Sequence, residues 1–286
     1  MVALIQKMEI QETIKTILGK YFQAQGKGDT QEMSLAYQEL IGARNYLAVS
    51  RGFSNYLELQ KNFFRIPEDH WQKYLSNRDA FATSFSARLE ISSNTPHFLS
   101  KLDEVNISYP DGVFDFVAQK YPEMIELKDK ITISDSGSGA DYKYSKEEGR
   151  YSIFIPKTNH NQQVSMLIHE LAHVINQEKF HHRIPNVYTD ELEAHHIEFS
   201  LTKTVSDDFF HAVIGEYLMC FVRTDFQASI FKNPDQDINY LYSSTFEKYI
   251  GNLDSINNTD YLLDKKLIFS SLVDLASTVA IVNLLT

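Results

Sequence analysis

His169, Glu170 and His173 sit in the stretch MLIHELAHVI, and residues of these types at this spacing could activate water. Histidines at i and i+4 lie on one face of a helix, so both imidazoles would reach a single tetrahedral zinc ion. Glu170, one residue on, stands beside that face. It would take a proton from a water that the metal has acidified to a pKa of about 7. With 10 histidines in 286 residues, His-Glu-x-x-His arises by chance in about two or three such chains per hundred. A further ligand therefore has to separate a metal site from a helix with two unrelated surface histidines.

A catalytic zinc takes a third protein ligand and keeps one position open. The segment TDELEAHHIEFSL offers Glu191, Glu193, His195, His196 and Glu198 on what reads as the next helix. Asp190 is a candidate N-cap for it, and Glu193 three residues later would complete a capping box, which gives Glu193 a structural task. Glu191 and Glu198 are seven apart and share a face with His195. One of them would bind the metal while the other orients a ligand histidine through its second ring nitrogen. His195 and His196 read as packing or surface residues before they read as ligands.

The elements that must position these groups follow from periodicity. Val164, Leu167, Ile168, Leu171 and Ile175 form an apolar stripe that would anchor the histidine helix in a core. Earlier in the chain, apolar residues recur three and four apart in Ile10–Phe22, Met33–Leu47 and Trp71–Ile91, with breaks at Gly26–Asp29, Gly52–Ser54 and Ser92–Pro96. Asp111–Leu127 reads as two short helices parted near Pro122. The pattern then changes. Ile131–Ser134, Asp141–Tyr144 and Tyr151–Ile155 alternate or are β-branched, and predict a small antiparallel sheet just ahead of the histidine helix. From Gln162 the helical period returns, through turns near Pro185, Ser206, Pro234 and Asn257. The fold class predicted is mainly α, with an N-terminal helical region over 1–128 packed on a metal-binding region over 129–286 as one unit.

Composition narrows the function. Apolar residues at 43%, aromatics at 13% and charged residues at 23% describe an ordinary globular chain. A net charge of -11 argues against nucleic acid and acidic membranes as partners, since both call for clustered Lys and Arg. Cys220 is the only cysteine, so an intrachain disulfide and a cysteine-rich zinc site are excluded and a reducing compartment is expected. The opening MVALIQKMEI is interrupted by Lys7 and Glu9, unlike a secretory signal, and a cytoplasmic location is the expectation. Leu267–Leu285 is nearly long enough to cross a bilayer, but Asp274 breaks it and a helix buried in the core is the reading adopted.

At the zinc motif and the glutamate pair, the sequence resembles the thimet-oligopeptidase and oligoendopeptidase F group of zinc metallopeptidases, which are gluzincins. ARNYLAVSRGFSNYLEL at Ala43–Leu59 looks like that family's helix-turn-helix around a Gly-aromatic pair. SGADY at Ser138–Tyr142 is similar to its Gly-Ala-Tyr-Ser loop, and Val222–Gly251 resembles one of its helical pairs. The resemblance implies a gluzincin-type helical catalytic domain that cleaves short peptides with one zinc ion per chain. It also implies His169, His173 and Glu191 as ligands, Glu170 as the base, and Glu198 as a partner behind the ligands. Several positions depart from the family. Ala172 stands where Gly is usual and Asn176 where His is usual, and the link from His173 to Glu191 is shorter. The family's C-terminal His and Tyr, which stabilise the oxyanion, align without gaps onto Asp264 and Leu275; Tyr188, Tyr240 and Tyr242 are candidate substitutes. Much of the N-terminal half that roofs the family's channel is missing, so the cleft would be open or closed by a second copy in a homo-oligomer.

The leading expectation is a zinc peptidase acting on oligopeptides, with the sheet edge at Tyr151–Ile155 pairing with substrate backbone. The alternative is a zinc-binding protein that binds peptide or regulates, with weak turnover or none.

Overall fold

The computed structural model describes residues 2–86, 98–136, 139–251, 259–269, 272 and 274–286. Apolar periodicity in the first part folds into α1 (Val2–Lys27), α2 (Thr30–Val49), α3 (Tyr56–Phe64) and α4 (Glu68–Ser86). Side chains that favour helix starts set two of them: Asp29 accepts from the Glu32 amide and Asn55 from the Glu58 amide. Then come α5 (Asp111–Ala118) and α6 (Met124–Leu127), which part around Pro122 as expected, and the strands β1 (Ile131–Ser136), β2 (Asp141–Ser145) and β3 (Arg150–Pro156). The rest is helical: α7 (His160–Lys179), α8 (Val187–Val205), α9 (Asp207–Glu216), α10 (Leu218–Lys232), α11 (Ile238–Ile250), α12 (Lys265–Phe269) and α13 (Leu275–Leu285). The end of the Trp71–Ile91 helix, the break at Ser92–Pro96, Ser138 and the turn near Asn257 lie outside the described residues.

Two compact units form. The first holds the described residues of 2–68 and 218–278. Here α1 packs along α2, and α10 on α2, α3 and α11. Its centre is aromatic: Tyr37 lies 6.3 Å from Phe226 and 5.3 Å from Tyr261, and Tyr242 5.3 Å from Phe226. Arg44, also buried, donates to the carbonyls of Leu267 and Ile268 at the end of α12. The Leu267–Leu285 stretch is not one helix. Leu272 adopts φ +61 between α12 and α13, and no helix among the described residues is long and apolar enough to cross a membrane.

The second unit comprises the described residues of 69–217 and 279–286. Its sheet has the order β1-β3-β2 and is mixed, which corrects the antiparallel expectation: β3 runs parallel to β1 and antiparallel to β2. The reason is burial. Tyr151, Ile153 and Ile155 alternate along β3 and are all fully or almost fully buried, so β3 takes the centre, where both of its edges are paired. Tyr151–Ile155 is therefore no free edge for substrate; β1 and β2 are the outer strands. Gly149 closes the β2–β3 hairpin at φ +62, a conformation that glycine takes without strain.

Helix α7 lies on β3 and along α8. Seven of its aliphatic side chains, Val164, Leu167, Ile168, Leu171, Ala172, Val174 and Ile175, are buried, and the larger ones contribute about 1.5–3 kcal/mol each. The helix is thus fixed along most of its length. Asn159 caps its start by accepting from the Gln162 amide. Buried Asn161 ties the segment 99–105, which comes before α5, to that first turn, donating to the carbonyls of Leu99 and Asp103 and accepting from the Val105 amide. Between α9 and α10 the chain breaks at Tyr217, where the periodicity had indicated none. Just before it, Gly215 passes so near Phe98 that a Cβ would stand 2.5 Å from the ring.

Candidate metal centre

All the residues in this section belong to the second unit unless stated. Helix α7 presents His169 and His173 one turn apart, and their Nε2 atoms converge to 3.2 Å. From α8, Glu191 brings Oε2 to 3.9 Å from His169 Nε2 and Oε1 to 3.9 Å from His173 Nε2. A tetrahedral zinc with bonds near 2.0–2.1 Å separates its ligand atoms by roughly 3.3 Å. These three residues form a group whose ligand atoms all lie within 4.8 Å of one another, so the spacing fits.

Each imidazole has a carboxylate behind it. Glu198 Oε2 lies 3.1 Å from His169 Nδ1, and Asp190 Oδ1 lies 3.0 Å from His173 Nδ1. Carboxylates only accept, so the ring protons belong on the two Nδ1 atoms and the Nε2 atoms carry lone pairs. Two lone pairs facing each other at 3.2 Å repel. A proton or a metal ion between them removes that repulsion, so the arrangement could hold a cation.

The charges around it agree. Burial would push the His169 imidazole down, yet the carboxylates of Glu198, Glu170 and Glu191 outweigh it and hold it up at about 10. His173 is likewise raised against burial, chiefly by Asp190. Glu198 is pressed the other way, down to about 2, because His169 and His195 overcome its burial. Glu170 is only 5% exposed. Its pKa is raised by burial, which outweighs His169 and His173. A carboxylate in that state is a stronger base than one in water.

Asp190 is not the helix cap that its place in the sequence predicts. Helix α8 starts at Val187, with Asn186 accepting from the Thr189 amide, one turn earlier than a cap at Asp190 required. Asp190 is left free to face α7. It accepts from the Tyr142 hydroxyl at 2.8 Å, and the Asn176 amide donates to its backbone carbonyl at 3.1 Å. Asn176, the residue that departs from the family pattern, thus holds the carboxylate behind His173. Glu193, freed from the capping box, pairs with Lys179 at 2.8 Å.

Two tyrosines complete the surroundings. Tyr142 of β2 stacks on the His173 ring at 4.8 Å, and the Tyr217 hydroxyl donates to Glu198 at 3.0 Å. Tyr142 carried a signal in the SGADY stretch; Tyr217, in the break between two helices, carried none. Of the expected substitutes for the oxyanion tyrosine, buried Tyr188 bonds His70 Nδ1 through its hydroxyl at 2.5 Å. In the first unit, Tyr240 is exposed and Tyr242 is packed against Phe226 and Tyr261. Asp264 there accepts from Arg223, and Leu275 is buried. His196 is exposed, whereas His195 is fully buried.

No family model and no curated protein sequence matches this chain. Solved structures do. PZ peptidase A, determined with an inhibitor, superposes with a TM-score of 0.63 at 13% identity, over 94% of this chain and 59% of that one. A chain described as an oligoendopeptidase F gives a TM-score of 0.62, 13% identity, and coverage of 94% and 59%. Another so described, from Bacillus anthracis str. Ames, gives 0.55, 16%, and coverage of 91% and 60%. This chain spans less than two thirds of the length of each. At such identities the likeness is one of fold: the mainly helical architecture with its small sheet is that of these peptidases.

Proposed function

We propose that this chain is a zinc-dependent endopeptidase acting on oligopeptides, in which His169, His173 and Glu191 hold one zinc ion and Glu170 moves the proton. The observation that carries this reading is the pair of Nε2 atoms 3.2 Å apart, each on a ring whose other nitrogen faces a carboxylate. The peptidase fold supports the reaction class and peptide as the partner.

Bound there, zinc would supply Lewis acidity, polarising a peptide carbonyl and acidifying a water. Glu170, buried and with its pKa raised, takes the proton of the attacking water and hands it to the departing amine. Glu198 and Asp190 keep the two imidazoles as Nδ1–H tautomers, so that neither ring turns during the proton transfers. Substrate backbone would add along β2, the outer strand whose Tyr142 packs on His173.

The test is zinc content together with cleavage of a quenched-fluorescent peptide library by wild type and Glu170→Gln. The variant should keep one zinc per chain and lose cleavage by about 10²–10⁴-fold. Equal cleavage by both proteins removes Glu170 from the mechanism. A second reading, a zinc-binding module that grips peptide without hydrolysing it, draws on the engagement of the Tyr142, Tyr188 and Tyr217 hydroxyls by other side chains. Zinc at one per chain with no cleavage of any library member would decide for it.

A further inference from the structure

Fully buried polar groups are expensive, and His195 is one that the proposed reaction leaves without a task. Its ring is stacked on Phe199 at 5.4 Å and met edge-on by Tyr217 at 4.9 Å. An apolar side chain would fill that space without desolvating two nitrogens. Packing therefore does not account for an imidazole here.

Its two nitrogens have different surroundings. Nδ1 lies 3.0 Å from Glu198 Oε2, the same oxygen that faces His169 Nδ1 at 3.1 Å and accepts from the Tyr217 hydroxyl at 3.0 Å. Nε2 is buried without a hydrogen-bond partner and lies 3.6 Å from Glu191 Oε2. Since Glu198 only accepts, the ring proton sits on Nδ1, and Nε2 turns a lone pair toward the Glu191 carboxylate.

We infer that His195 is a positioning residue for the metal centre: its Nδ1–H fixes the Glu198 oxygen that orients His169, and its bare Nε2 itself donates no hydrogen bond to Glu191. This rests on the reading of His169, His173 and Glu191 as zinc ligands. The first effect acts through Glu198. A carboxylate oxygen held by three donors does not swing, and the His169 ring that leans on it keeps its Nε2 aimed at His173. The second acts on Glu191 directly. Two acceptor atoms 3.6 Å apart repel weakly, so the carboxylate gains more from a cation than it would beside a donor.

The two roles predict an order among variants, because an asparagine amide places its N–H near the position of Nδ1 and a glutamine amide reaches that of Nε2. Zinc affinity is measured by chelator competition, and the ligand field by the visible spectrum after cobalt substitution, for wild type, His195→Asn, His195→Gln and His195→Leu. His195→Asn should bind within about threefold of wild type, while His195→Gln and His195→Leu weaken by about 10–100-fold with displaced cobalt bands. A packing residue predicts the reverse, with leucine and glutamine tolerated better than the smaller asparagine. Wild-type affinity and spectrum in His195→Leu, or His195→Asn as weak as His195→Gln, overturns the inference. If His195→Leu does not fold, the Asn and Gln pair decides alone. Failure of the wild type to bind zinc or cobalt removes the metal reading itself, whereas tight binding by all four proteins removes only the role of His195.

Discussion

Zinc uptake should expel a proton, because proton and metal compete for one gap between His169 and His173. In the metal-free protein the His169 imidazole is held up at about 10 by the carboxylates around it. At pH 7 it therefore lies about three pH units below that value, so displacing the proton costs about 4 kcal/mol and weakens apparent zinc affinity about 10³-fold. Titration calorimetry in two buffers of different ionisation enthalpy should report about one proton released per zinc between pH 6.5 and 8.5. Over that range the apparent affinity should rise about tenfold per pH unit. Stability follows the same groups. The raised His169 stabilises the metal-free fold fully below its ordinary value of 6.5, and that contribution disappears as pH climbs through about 10. Glu198, depressed from 4.5 to about 2, contributes above pH 4.5 and is lost as pH falls through about 2. A flat affinity across the range, with no buffer-dependent heat, would refute the idea that the gap is filled by a proton before it is filled by a metal.

Two other substitutions probe neighbouring steps. Asp190→Asn removes the charge 3.0 Å from His173 Nδ1; chelator competition should show zinc held about 10–100-fold more weakly. Gly215→Ala drives a methyl to within 2.5 Å of the Phe98 ring, so urea unfolding should register a loss of about 1–3 kcal/mol.

How much of this was readable in the residues depends on how far each contact reaches along the chain. His169, Glu170 and His173 are legible because a helix turn brings them together whatever surrounds it, and the apolar stripe that fixes that turn is local too. The Glu191–Glu198 spacing is equally local. Asp190 reads as a cap because Asn186 and Asp190 are equivalent cap types four residues apart, and only the place where α8 begins tells them apart. Its real partner is His173, on the preceding helix. Tyr217 reaches Glu198 from beyond the end of α9, and His195 looked like packing because burial alone does not reveal which nitrogen is bonded. The sheet was legible as three strands but not in order, since pairing β1 with β3 across an intervening strand is a long-range choice made by burial.

The hairpin of β2 and β3 makes the metal residues answerable to strand alignment. Tyr142 opposes Ile153 and Tyr144 opposes Tyr151 in the present register, which turns Tyr142 onto His173 and Tyr144 onto the His182 ring. A slip of one residue would carry both tyrosines to the opposite side of the sheet. His173 would lose the ring that covers it, and Asp190 the hydroxyl that donates to it. A chain that closed its hairpin wrongly could keep every helix and still lose these two contacts, so on the zinc reading metal content would report on the pairing of β2 with β3.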